Sequence, residues 1–102
     1  MKTLQIEKYI LETLMPDLVG HDRRPAAFLV FLFLWMETRG SRSASVQISL
    51  RDMSEGTGLS KRAVQSAIAT LRRRHLVTVT RDSPTSIPVY QVNRPWHRRL
   101  KG

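Results

Sequence analysis

The chain has no cysteine, which excludes a disulfide framework and any zinc site built on thiolates. It has only three histidines, His21, His75 and His97. None stands in a spacing such as H-E-x-x-H that would set metal ligands on one helix face. Acidic residues are few and scattered, eight against seventeen Lys and Arg. No nucleophile with its base and no paired carboxylates emerge from that scatter, so no catalytic residue, metal or cofactor is expected, and no enzyme. Gly56-Thr57-Gly58 lacks a P-loop lysine in register and reads as turn chemistry. Long apolar runs are missing too. The longest, Ala26 to Met36, is eleven residues between Arg24 and Glu37, where a membrane span needs roughly 20. The opening MKTLQIEKYI lacks the continuous apolar stretch of a cleavable signal. No membrane partner and a cytoplasmic location are therefore expected.

What the chain does have is positive charge in one place. At 102 residues it is sized for a single domain, 1–102, and it carries a net charge of +9. Met1 to Thr38 holds four basic and five acidic residues, a balance of −1, and Arg39 to Gly102 holds thirteen and three, a balance of +10. A basic half on a neutral base is the electrostatic pattern of a nucleic-acid binder.

The stretch Ser49 to His75, SLRDMSEGTGLSKRAVQSAIATLRRRH, concentrates that charge. Ser49 suits a helix N-cap, and Asp52 suits the positive end of the helix dipole. Gly56 and Gly58 are expected to end this first helix. Ser60 suits the cap of a second helix from Lys61. Val64, Ala67, Ile68 and Leu71 fall at i, i+3, i+4 and i+7 and form one apolar stripe. At 100° per residue, Arg62, Ser66, Ala69 and Arg73 point the other way, with Lys61, Gln65 and Arg72 on a flank. Long basic side chains with small residues between them suit approach to a major groove, as they suit an ordinary solvated face.

The pattern Ser54-x-x-x-Gly58-Leu59-Ser60-x-x-Ala63-Val64-x-x-Ala67-Ile68-x-x-Leu71 resembles the helix-turn-helix of bacterial DNA-binding proteins. His75-Leu76-Val77 resembles the "Gly-Leu-Ile" entry to a winged hairpin, with His75 where the glycine usually stands. The resemblance extends over Pro25 to Val92. It is to winged helix-turn-helix domains of regulators of the GntR and MarR type and of plasmid replication initiators. It implies a mainly α fold with a small β-hairpin wing, here with an added N-terminal helix, and a partner of double-stranded DNA. Lys61, Arg62, Gln65, Ser66 and Ala69 are the candidates for the major groove. Ser49, Arg51, Ser60, Arg72, Arg73, Arg81 and Thr85 are the candidates for phosphate and wing contacts. The implied role is a repressor acting by occupancy. A replication-initiation module shares the fold, and a protein-interaction winged helix would leave the basic face incidental.

The rest of the chain is arranged around this unit. Residues 1–20 are expected to form the added helix, 21–92 the winged-helix core and 93–102 a basic tail. Thr3 to Met15 reads as an amphipathic helix stopped by Pro16. Asp17 to Arg24 reads as a connector, bent at Gly20, with Asp22 as a cap. Pro25 to Glu37 reads as a helix apolar all round, a buried strand being the alternative. Such a helix needs cover on every side. Leu4, Ile10, Leu11 and Leu14 offer one stripe and Phe28, Phe31, Leu32 and Trp35 another. A homodimer through residues 3–15 and 26–36 would bury both, and so would packing within one chain. Thr38 to Ser45 reads as a polar loop stopped by Gly40, with Arg39 and Arg42 at the negative helix end. Val46 to Ile48 reads as a short strand. LVTVTR from Leu76 and IPVYQV from Ile87 alternate as strands around a turn at Asp82 to Ser86. Pro88 is tolerable only at a strand start or edge. In NRPWHRRLKG, Trp96 can fold the tail back on the domain or on the first helices.

Overall fold

A computed structural model describes residues 2–39 and 45–96. Helical residues run from 8 to 21 as α1, built of two wide-turned stretches, Ile10–Leu14 and Pro16–His21. The remaining elements are α2 (Pro25–Arg39), β1 (Ser45–Gln47), α3 (Leu50–Thr57), α4 (Lys61–Arg73), β2 (Val77–Thr80) and β3 (Val89–Val92). The fold is mainly helical with a small antiparallel sheet of order β1-β3-β2. Val46 and Val79 both face Tyr90 of the central strand. No helix among the described residues is long and apolar enough to cross a membrane.

The first helix departs from expectation at both ends. Residues 2–7 are not helical. They run past the end of α2, where the Trp35 indole N–H donates to the Gln5 carbonyl at 2.8 Å. Pro16 does not stop the helix. Met15 keeps helical angles, φ −59° and ψ −57°, and its N–H bonds five residues back to Ile10. A proline ring collides with the carbonyl four residues back in a regular α-turn, and here the helix widens its turn instead of ending. The wider turn keeps residues four apart in line. Ile10, Leu14 and Leu18 therefore face the core, while Leu11, Met15 and Val19 face outward. Gly20 lies inside the helix and makes no bend. The turn comes at Arg23, at φ +55°, and Asp22 ends α1 where it was expected to cap α2.

Inside α2, Ala27, Phe28, Val30, Phe31, Leu34 and Trp35 are buried. Two residues on its outer side, Leu29 and Met36, remain exposed, so the cover is not complete. Of the stripes that suggested an intermolecular cover, Phe28, Phe31, Trp35, Ile10 and Leu14 are buried within this one chain, and Leu4 and Leu11 are exposed. Polar Thr38 is buried with its hydroxyl donating to the Leu34 carbonyl at 2.8 Å, which satisfies it.

Gly56 is not a helix end. It sits within α3, and a Cβ placed there would lie 2.4 Å from the ring of Phe33 on α2. The missing side chain is what lets the two helices meet. Gly58 is the cap, left-handed at φ +81°. Trp96 settles the folding-back of the chain after β3. Its ring stacks on Tyr9 at 4.6 Å, and its N–H donates to the Glu7 carboxylate at 2.9 Å. The loop residues 40–44, with Gly40 and Arg42, and the tail from 97 onward lie outside the described residues.

Candidate nucleic-acid interface

Two serine caps fix α3 and α4. The Ser49 hydroxyl accepts from the Asp52 amide at 3.0 Å, and the Ser60 hydroxyl accepts from the Ala63 amide at 3.1 Å. Each oxygen is taken up by its own helix, which leaves its O–H as the group able to reach a phosphate. Between the helices, Ser54 donates to the Leu59 carbonyl at 2.5 Å, and the Gly58 amide bonds back to Ser54 at 2.9 Å. A hydroxyl at position 54 thus holds the turn in a way an alanine could not.

The far end of α4 closes as a Schellman motif. The Leu76 amide bonds to Leu71 at 2.9 Å and the His75 amide to Arg72 at 3.0 Å, with His75 left-handed at φ +59°. Leu71 and Leu76 are both buried beside the cap. Histidine therefore does take the backbone conformation that glycine usually supplies.

With both ends fixed, Val64, Ala67, Ile68, Thr70 and Leu71 point into the core. Lys61, Arg62, Gln65, Ser66, Ala69, Arg72 and Arg73 are all exposed. Among the described residues Lys61, Arg62 and Arg72 have no carboxylate partner. Arg73 reaches the Thr70 hydroxyl at 3.4 Å. Arg51 is exposed but pairs with Glu55 at 3.3 Å, so its charge is partly offset toward an incoming anion.

The hairpin β2–β3 forms a wing beside α4. A groove between them is lined by Gln65, Ile68 and Arg72 from the helix and by Arg81, Thr85 and Tyr90 from the wing. Burial pushes the Tyr90 hydroxyl pKa up, and the positive charges of Arg81 and Arg72, which line the same groove, oppose that shift. Arg81 also donates to the Pro84 carbonyl at 3.2 Å, and Ser83 and Ser86 hydroxyls meet at 2.8 Å. The wing tip is thereby held together by its own side chains.

On the opposite flank, Arg23, Arg24 and Ala26 at the start of α2 line a second cleft with Ala63 and Ser66 of α4. Arg23 and Arg24 are exposed. They were legible only as brackets around an apolar run, because nothing local says that the α1–α2 turn lies against α4. The outward face of α4 is therefore flanked by cations on both sides.

Arg74 is not part of that face. It is half-buried and bonded to both Asp17 and Asp22, to the latter at 2.6 Å. Its pKa is raised, first by the Asp17 hydrogen bond and then by that from Asp22, against the cost of burial. His21 also meets Asp22, at 3.0 Å, which raises the imidazole pKa and lowers that of Asp22. Asp17, His21 and Asp22 place one ligand atom each within 4.8 Å of one another, a grouping the sequence spacing did not suggest. The Arg74 guanidinium bridges the Oδ2 atoms of the two carboxylates while His21 faces their Oδ1 atoms, so both acids are already engaged by cationic or cation-forming side chains. Comparison with protein-family models, curated proteins and solved structures finds no match for this chain.

Proposed function

We propose that the chain binds double-stranded DNA by laying α4 in the major groove, with the wing and the α1–α2 turn on the flanking phosphates. One observation carries this most: among the described residues the cationic outer face of α4 is covered by no other element, and Arg23, Arg24, Arg72, Arg81 and Thr85 border it on two sides. Arg62, Gln65 and Lys61 are long enough to reach base edges, while Ser66 and Ala69 allow close approach. Ser49, Ser60, Arg51 and Arg73 add phosphate contacts at the rim. We read it as a protein of the winged helix-turn-helix kind its sequence resembles, acting in the cytoplasm as a repressor by occupancy and not as an enzyme.

Two copies would read two half-sites. The outward apolar residues Leu11, Met15 and Val19 of α1 and Leu29 and Met36 of α2 supply the material for a homodimer through the first two helices. A two-fold dimer places its reading helices about 34 Å apart, one turn of duplex. Sedimentation showing a monomer at tens of micromolar would remove the dimer and leave the DNA contact standing.

Selection of bound duplex from a random library tests the main proposal. A common motif should emerge, and binding should fall steeply as salt rises. Arg62→Ala should cost about 1–3 kcal/mol on the selected site and much less on random duplex if it is bidentate to guanine. No retention of duplex at low salt would overturn the proposal.

A further inference from the structure

The turn that brings Arg23 and Arg24 beside α4 begins in a corner of four polar side chains. The Arg74 guanidinium, just past the end of α4, donates to Oδ2 of both Asp17 and Asp22. His21 faces the other oxygens of the same carboxylates, its Nδ1 3.0 Å from Asp22 Oδ1 and 3.8 Å from Asp17 Oδ1. Two carboxylates against one guanidinium leave one negative charge while His21 is neutral, and none once it is protonated. The imidazole is exposed, so it exchanges its proton with bulk water and no part of the fold has to open.

Among the described residues, the charges acting on this imidazole are Asp22 and Asp17 from α1 and Arg74 from the end of α4. The helix α2, which also packs against this end of α1, carries no charged residue between Pro25 and Met36. The Asp22 hydrogen bond first, then the charges of Asp22 and Asp17, hold the His21 pKa above 6.5, with desolvation and Arg74 opposing. The corner therefore changes charge near neutral pH.

The same corner is tied to the phosphate-facing arginines. The Asp22 amide bonds to the Asp17 carbonyl at 2.8 Å and the Arg24 amide to the Leu18 carbonyl at 2.7 Å. Arg23, between them, is left-handed at φ +55°. Both arginines thus leave from a turn fixed by α1 itself. His21 and Arg23 are two residues apart, at most about 7 Å of backbone. Charges act over about 8 Å through physiological salt. Arg23 and Arg24 line a cleft with Ala63 and Ser66 of α4, so a phosphate seated on them lies within range of the corner.

We propose that DNA binding by this chain is coupled to protonation of His21, each favouring the other. The coupling rests on the DNA contact proposed above and supplies its regulation. With His21 neutral, the surplus carboxylate charge competes with phosphate for Arg23 and Arg24. With His21 protonated, that competition is cancelled and duplex binds more tightly. Affinity is therefore highest below the His21 pKa of the free protein, and it falls as pH rises from that value to the higher pKa of the complex. Linkage is reciprocal, so bound duplex raises the His21 pKa by the same factor. One unit charge about 7–10 Å from a phosphate, acting largely through solvent, changes affinity about two- to five-fold.

The test is titration of a short random duplex with the full chain at low salt, read by fluorescence anisotropy at pH values from about 5.5 to about 8.5, with His21→Gln alongside. Glutamine keeps a polar group beside Asp22 and cannot titrate. His75 and His97 are present in both proteins, so any difference belongs to His21. The two should bind alike at the alkaline end, and the wild type about two- to five-fold more tightly at the acidic end. In the wild type, the His21 ring resonances titrated with and without saturating duplex should show a midpoint about 0.3–0.7 of a pH unit higher in the complex. Matching pH profiles for wild type and variant, or a His21 midpoint that stays or falls when duplex is added, would overturn the coupling and leave the DNA contact standing. No retention of duplex at any pH would overturn both.

Discussion

Arg74 donates from Nη1 to Asp22 Oδ2 at 2.6 Å and so joins the last turn of α4 to the turn that follows α1. With its second contact to Asp17, it anchors the reading helix to the N-terminal helix. Arg74, which continues the run of Arg72 and Arg73, is thus a brace between α4 and α1.

Arg74→Ala should therefore act on stability. Two carboxylates lose a charged donor, an effect of about 1–2 kcal/mol once the side chain's partial exposure is allowed for. Urea denaturation is the measurement. Arg74→Lys should recover only part of the loss, because an ammonium cannot fork between two carboxylates. A stability equal to wild type would mean that water serves the carboxylates as well as Arg74 does.

The same corner should show in pH dependence. The His21 pKa is raised from 6.5 by its hydrogen bond to Asp22, so its contribution is fully present below 6.5 and lost as pH rises through its folded value. The Asp22 pKa is lowered from 3.8, chiefly by His21, so its contribution is present above 3.8 and lost as pH falls through its folded value. NMR titration should place the His21 midpoint above 6.5 in the wild type and return it toward 6.5 in Asp22→Asn. An unchanged midpoint in the variant would show that the pair does not form in solution.

Gly56→Ala pits two effects against each other. Alanine gains up to about 1 kcal/mol of helix propensity over glycine, but its methyl group would lie 2.4 Å from Phe33. Overpacking of that kind costs about 1–3 kcal/mol, so the variant should be destabilised. Adding Phe33→Leu should restore part of the loss, which a general weakening of α3 would not allow.

His75→Gly should move stability the other way. A left-handed residue with a side chain costs roughly 1 kcal/mol relative to glycine, and His75 stands at φ +59°. Thermal melting should show a gain of about 0.5–1 kcal/mol, reduced by the greater freedom glycine gives the unfolded chain. A loss would imply a contact of the imidazole worth more than the backbone strain.

The elements whose signals are local were readable in advance. Ser49 and Ser60 cap the helices their positions imply, the Val64–Leu71 stripe faces inward, and the alternation of Val77 and Val79 marks a strand. What escaped depends on contacts distant in sequence. Residues 2–7 stay out of the helix because Trp35, thirty positions on, holds Gln5. Pro16 stays in it because Leu14 and Leu18 are both buried against the core, and the turn widens to keep them there. Gly56 read as a stop because its reason, Phe33, lies on another helix. Arg23 and Arg24 joined the candidate interface, and Arg74 showed its role as a brace, only when the α1–α2 turn proved to pack beside α4.

Amide chemical shifts of the full chain, followed while a short random duplex is added at low salt, test the central proposal most directly. The expected perturbations concentrate on Lys61 to Arg73, on Arg81 to Ser86 and on Arg23 and Arg24, and they recede as salt is raised. Shifts that avoid α4 and gather on the outer sides of α1 and α2, or no shifts at all, would contradict it.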